Sequence, residues 1–259
     1  MVRVQALRSF TRAPWPMLFA LAGCGLILSV RSSGNATLPA FCGADAPWLQ
    51  VASSWSDALH LALAFNPPAG LLADWALMLL AMMPPLLAMP LMHVCWSSLP
   101  RRRVRALACF ALGYAVVWLA AGPVLIALAV LLRLVAGGTT PAFVIALLIA
   151  TVWSASPWQR DALNHGHRMR RIGLFGWAAD RECLTFGLIH AAWCVASCWA
   201  WMLVPLAAGP WHIAAMILAS AAMLSERLAI PDRPRWRLPA FLHLLDIRPF
   251  VDVGRRVIP

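Results

Sequence analysis

Two stretches of this chain carry soft-metal side chains inside sequence that is otherwise hydrocarbon. Residues 78–95 contain Met78, Met82, Met83, Met89, Met92, His93 and Cys95, interrupted by Pro84, Pro85 and Pro90. Residues 190–202 place His190, Cys194, Cys198 and Met202 at successive steps of four. Thioether, thiolate and imidazole together form a ligand set suited to Cu(I). On a helix, Cys194 and Cys198 stand at i and i+4, on one face and close enough to chelate one ion. His190 and Met202 extend that face by a turn in each direction.

The elements that must position these residues are membrane spans. Hydrophobic residues make up 62% of the 259-residue chain and charged residues 12%, well below the roughly 25% charged content of soluble domains. A polytopic membrane protein is expected, an all-α transmembrane bundle forming a single integral membrane domain over 1–259. Hydropathy predicts six spans, at about 14–31, 71–99, 106–134, 141–157, 183–206 and 210–228, each near the roughly 20 residues that cross the hydrocarbon core.

Arginine sets the orientation, because the chain has no lysine and all 21 basic side chains are Arg. Arg3, Arg8 and Arg12 precede the first span, Arg101, Arg102, Arg103 and Arg105 follow the second, and Arg160, Arg168, Arg170, Arg171 and Arg181 lie between the fourth and fifth. Arg227 and six further arginines lie at or beyond the end of the sixth. Only Arg31 and Arg133 fall on the other side. The positive-inside rule then puts both termini in the cytoplasm, and a bacterial inner membrane is the expected home, with the first span a retained signal anchor.

Several other function classes find no footing. The net charge of +11 is accounted for by topology and attraction to anionic lipid head groups, and no nucleic-acid-binding motif accompanies it. All the cysteines except Cys42 fall within or at the ends of spans, so a disulfide framework is not expected. Catalysis has little support: Asp74 and Glu226 sit at span ends, and no nucleophile–base constellation or phosphate-binding Gly loop occurs.

The external loop 32–70 is predicted to hold a surface helix over Ser54–Phe65, with Asp57 and His60 solvated on it. The tail 229–259 is predicted to hold an amphipathic cytoplasmic helix over Leu238–Val253. In the second span the three prolines remove amide donors and must kink the helix. If spans two and five touch, depth pairs their ligands. Counted from the cytoplasmic ends, His93 and His190 both lie roughly 10–12 Å in at 1.5 Å per residue. Met89 then matches Cys194, Met82 or Met83 falls near Cys198, and Met78 near Met202.

The pattern Trp75-x-x-Met78-x-x-Ala81-Met82-Met83-x-Pro85, followed by Gly187-x-x-His190-x-x-x-Cys194-x-x-x-Cys198-Trp199-x-x-Met202, resembles a bacterial family of integral membrane proteins described as predicted metal-binding and of unknown function. The similarity covers about residues 70–228 and extends to Met216, Met223, Glu226 and Arg227. Its most specific element is Cys-Trp-x-x-Met. The family's pattern has Gly where Ala191 stands, Cys where Ser197 stands, and a cysteine-containing loop where this chain reads Asn164-His165-Gly166-His167-Arg168. The resemblance implies metal binding and supplies no reaction.

Three functions fit these observations. The first is a soft-metal binder, for Cu(I), with Cys194 and Cys198 as core ligands, His190 and Met202 flanking them, and Met82, Met83, Met89 and His93 supplied by the second span. The second is a non-catalytic accessory subunit whose 14 tryptophans anchor it at interfaces and against other membrane subunits. The third is a b-type haem protein, with His93 and His190 as axial ligands.

Overall fold

The computed structural model describes residues 14–35, 56–57, 60, 68–173, 175–229 and 233–241. Among them the regular elements are all helical. In chain order they are α1 (Trp15–Asn35), α2 (Pro68–Met82), α3 (Ala88–Ser97), α4 (Arg103–Ala136), α5 (Thr139–Ala155), α6 (Pro157–Gly166), α7 (Gly176–Ala207) and α8 (His212–Leu228). Short 3-10 turns occupy Pro84–Leu87, Pro100–Arg102 and Gly209–Trp211. Two helices, Pro100–Ala136 and Gly176–Ala207, are long and apolar enough to cross a membrane, and the count rises to four if each of two bent helix pairs is one span.

The first bent pair is the proline-rich stretch, where α2 and α3 meet at 57°. Met83 still donates to the Leu79 carbonyl (2.9 Å), and then Pro84 and Pro85 open a 3-10 turn rather than continue the α-helix. Pro90 falls in the first turn of α3, where a backbone N–H has no intrahelical acceptor and its loss costs little. The expected kink is therefore a complete break that leaves the prolines buried.

The second bent pair joins α5 to α6 at 68°, in a region the sequence reading treated as span end and cytoplasmic loop. Ser156 caps α6 by accepting from the Gln159 amide (3.3 Å), with Pro157 at the first helical position, a strong local start signal. The buried face of α6 carries Gln159 and Arg160. Arg160 meets Glu226 of α8 at 3.5 Å with both side chains almost wholly buried, and that pairing is what allows a charged helix face to turn inward.

At the centre, α7 packs principally on α4, and also on α5, α6 and α8. The two run parallel: Arg102 and Arg105 each bond Asp180 at 2.6 Å near one end, and Arg133 donates to the Leu206 carbonyl (2.7 Å) at the other. Arg133 is therefore not a loop charge but a buried side chain satisfying a carbonyl at the C-terminal end of α7, where a cation is also favoured by the helix dipole. Gly113 and Gly187 make the crossing possible. A Cβ on Gly187 would run into the Phe110 carbonyl, and one on Gly113 into the Leu184 carbonyl, so the backbones meet through small residues, as membrane helices do.

The remaining helices close around this pair. The Trp75 indole of α2 donates to the Trp118 carbonyl of α4 (2.9 Å) in space left by Gly122, and α1 crosses α2 at Gly25, over the Ala81 backbone. His212 at the start of α8 donates through Nδ1 to the Pro205 carbonyl (2.9 Å). Residues 233–241 fold back: the Arg237 amide donates to the Ala155 carbonyl (3.1 Å) and the Ala240 amide to Glu226 Oε1 (2.5 Å). Most of the predicted tail helix, most of the external surface helix and Cys42 lie outside the described residues.

Candidate metal centre

The site grows from one face of α7. Cys194 and Cys198 are 0% and 4% exposed and stand one helical turn apart on α7. Met202 and His190 sit a turn to either side and are equally buried. The Tyr114 hydroxyl of α4 lies 3.3 Å from Cys194 Sγ. Ser197, which stands where the resembling family has cysteine, donates to the Cys194 carbonyl (3.0 Å) and holds its hydroxyl 3.4 Å from Cys198 Sγ. The position thus still faces the site, with an oxygen in place of a thiolate.

The electrostatics are set by Arg227 at the end of α8. Its neighbour Glu226 is matched to Arg160, so the charge of Arg227 is directed elsewhere. It faces Cys194, Cys198 and Tyr114. Neither Nη1 nor Nη2 closes a hydrogen bond of good geometry. Gly166 makes room for the guanidinium, since a Cβ there would lie 2.5 Å from Nη1. A buried cation without a matched anion is costly, and a net negative charge at the cysteine pair would offset it.

The other predicted ligands divide into two groups. Met82 and Met83 are buried in the same apolar core as Cys194, Cys198 and Met202. Met89 is 53% exposed, and His93 is half-buried with its Nε2 donating to the Arg170 carbonyl (2.7 Å). The helices that pack extensively on α7 do not include α2 or α3, so the expected ladder is replaced by an arrangement in which α4 and α8 flank the cysteines. Among the described residues no cluster of three or more His, Cys, Asp or Glu is placed to hold a metal. The donors gathered here are two thiols with thioethers and an imidazole nearby, a set that favours soft Cu(I) over ions that need a closed ring of hard or borderline ligands.

The expected haem pair is not assembled. Phe186 places its ring 5.7 Å from the ring of His93 and 5.8 Å from that of His190, and His93 Nε2 is engaged with a carbonyl. His165 stacks on Trp193 at 4.3 Å, and both ring nitrogens of His167 approach carbonyls, those of Leu163 and Arg227. Neither loop histidine reaches the thiols as a substitute ligand. Tyr114 as a partner of Cys194 carries no signal in the sequence, and Arg227 reads there both as a topology charge and as part of the resembling family's pattern. A Glu-Arg pair ending an apolar helix is the one local sign that such charges turn inward.

No curated protein and no solved structure matches the chain. A family model described as PpoB2, copper chaperone, matches residues 72–245, which takes in every helix from α2 to α8 in most or all of its length, together with the cysteine pair, Tyr114 and Arg227. The chain belongs to the PpoB2 copper chaperone family.

Proposed function

We propose that this protein is an integral membrane copper chaperone that holds Cu(I) between Cys194 and Cys198 within the bilayer and hands it to a partner. The observation that carries this reading is the pair of buried thiols one turn apart, faced by a guanidinium whose buried Nη atoms have no hydrogen-bond partner among the described residues. Two thiolates bind Cu(I), and the resulting anion meets Arg227. Met202 and His190 flank the pair on α7, and Met82 and Met83 supply further thioethers in the same core. Copper is cargo here, so a site of two thiolates that leaves room for ligand exchange suits the role better than a closed cage.

The membrane arrangement proposed with it has six spans with both termini in the cytoplasm of a bacterial inner membrane. The spans are α1, the broken α2–α3 pair, α4, α5, α7 and α8. The parallel course of α4 and α7 agrees with an even-numbered separation of the two, and the arginine clusters fall at their N-terminal ends. Exposed tryptophans, among them Trp96, Trp158, Trp177, Trp211 and Trp236, suit interfacial anchoring and would also offer surface to the membrane subunit that receives the metal.

Metal analysis of the purified chain tests the reading. Loaded with Cu(I) under reducing conditions and passed through a desalting column, the wild type is expected to retain about one copper per chain, and Cys194→Ala with Cys198→Ala less than about 0.2. Equal retention by both would sink the assignment of the thiols.

A further inference from the structure

Soft donors outside the cysteine pair collect around one cavity. It has a volume of about 270 Å³ and lies between α3, the α6–α7 connection, α7 and the C-terminal end of α8. Met89 and Met169 line it and are 53% and 40% exposed. His190 lines it from within, is 3% exposed, and its Nε2 has no hydrogen-bond partner. A buried ring nitrogen left open in this way is costly unless something else comes to it, and imidazole nitrogen is a copper ligand. His167 also borders the cavity, but its nitrogens approach the Leu163 and Arg227 carbonyls, at 2.7 and 3.1 Å, so it forms wall rather than donor.

The order of these groups along α7 gives the cavity a direction. Cys194 stands one helical turn beyond His190 on the same face, and Arg227 both lines the cavity and faces the thiols. Met169 and Ala229, which line it, belong to the segments that the arginine distribution places on the cytoplasmic side. The donors therefore run from the Met169 thioether in the α6–α7 connection, through the His190 imidazole, to the thiols one turn further along α7.

We infer that this cavity is a Cu(I) vestibule, in which Met89, Met169 and His190 form a transient site that receives the ion from the cytoplasmic side and relays it to Cys194 and Cys198. The inference rests on the proposed function above and adds to it a second site and a loading direction. Copper stays in the +1 state throughout. The bond to the delivering ligand is exchanged for bonds to Met89 Sδ, Met169 Sδ and His190 Nε2, and these in turn for bonds to the two Sγ atoms, whose thiol protons leave to water through the vestibule.

Stopped-flow transfer from Cu(I)–bicinchoninate to the full chain in detergent micelles tests it, because loss of the probe's colour reports loading. Met89→Leu with Met169→Leu keeps volume and apolarity, and is expected to slow loading by about tenfold while final copper content and affinity stay within about twofold of wild type. Loading at the wild-type rate overturns the vestibule. If the double variant fails to fold, Met169→Leu alone, outside every helix, carries the same test with the same two outcomes. Failure of the underlying reading looks different: the wild type itself, or the doubly cysteine-substituted chain, would then give an anomalous end point rather than an altered rate.

Discussion

Replacing Arg227 by Gln removes a charge that faces the cysteine pair while keeping a side chain of similar reach. Cu(I) held by two thiolates is an anion, and the guanidinium is buried against it between Gly166 and α7. At an effective dielectric of about 20, unit charges about 4–5 Å apart attract by roughly 3–4 kcal/mol. Part of that is recovered by water and by the amide of the new Gln, and a charge-assisted hydrogen bond contributes about 1.5–3 kcal/mol in practice. At 1.4 kcal/mol per decade, Cu(I) affinity should fall by about 10- to 100-fold. The apo protein should respond in the opposite sense: a buried cation without a matched anion is costly, so Arg227→Gln leaves the melting temperature of the copper-free chain unchanged or raises it. Copper should then stabilise the wild type more than the variant. Competition against bicinchoninate at fixed pH gives the affinities, and thermal unfolding with and without Cu(I) gives the stabilities. Affinity within about twofold of wild type, together with an equal thermal shift on copper addition, would refute the electrostatic role of Arg227.

Ser197→Cys places a third sulfur beside Cys198 and should tighten Cu(I) binding by about tenfold or more, read by the same competition. Gly187→Ala drives a methyl group into the Phe110 carbonyl. Such overpacking costs about 1–3 kcal/mol, so the melting temperature should drop by roughly 2–10 °C with copper stoichiometry preserved in the folded fraction. Glu226→Gln takes the partner from buried Arg160 and should destabilise the fold by about 3 kcal/mol or more, whereas Arg160→Met combined with Glu226→Met should recover much of that loss. Folded yield in detergent and thermal unfolding distinguish the two.

Legibility in the sequence tracked the range of the interactions involved. The cysteine pair could be read because i and i+4 is a local relation on any helix, and the apolar helices because hydropathy is a property of a window. The α5–α6 break carries its own signal, Ser156-Pro157, and hydropathy ends the fourth span there, but nothing in the sequence shows that the helix beyond it folds back into the bundle. What turns Arg160 inward is Glu226, far away in sequence. Arg133 is indistinguishable in sequence from a loop arginine, because its partner, the Leu206 carbonyl, is distant; Arg227 stands out only through the Glu-Arg pair and the family pattern, and neither names the thiols it faces. Matching depths paired α7 with the methionine-bearing second span, yet equal depth does not make neighbours. The partner that α7 took was α4, and the mark of that choice was the facing glycines Gly113 and Gly187, which allow the closest backbone approach.

X-ray absorption at the copper edge, on the wild-type chain loaded with one equivalent of Cu(I), tests the thiol assignment most directly. An edge typical of Cu(I) with a first shell dominated by sulfur is expected, and that sulfur shell should be lost when Cys194 and Cys198 are both replaced by Ser. A shell of nitrogen and oxygen in the wild type, or a sulfur shell that survives the double replacement, would contradict copper binding at the cysteine pair of α7.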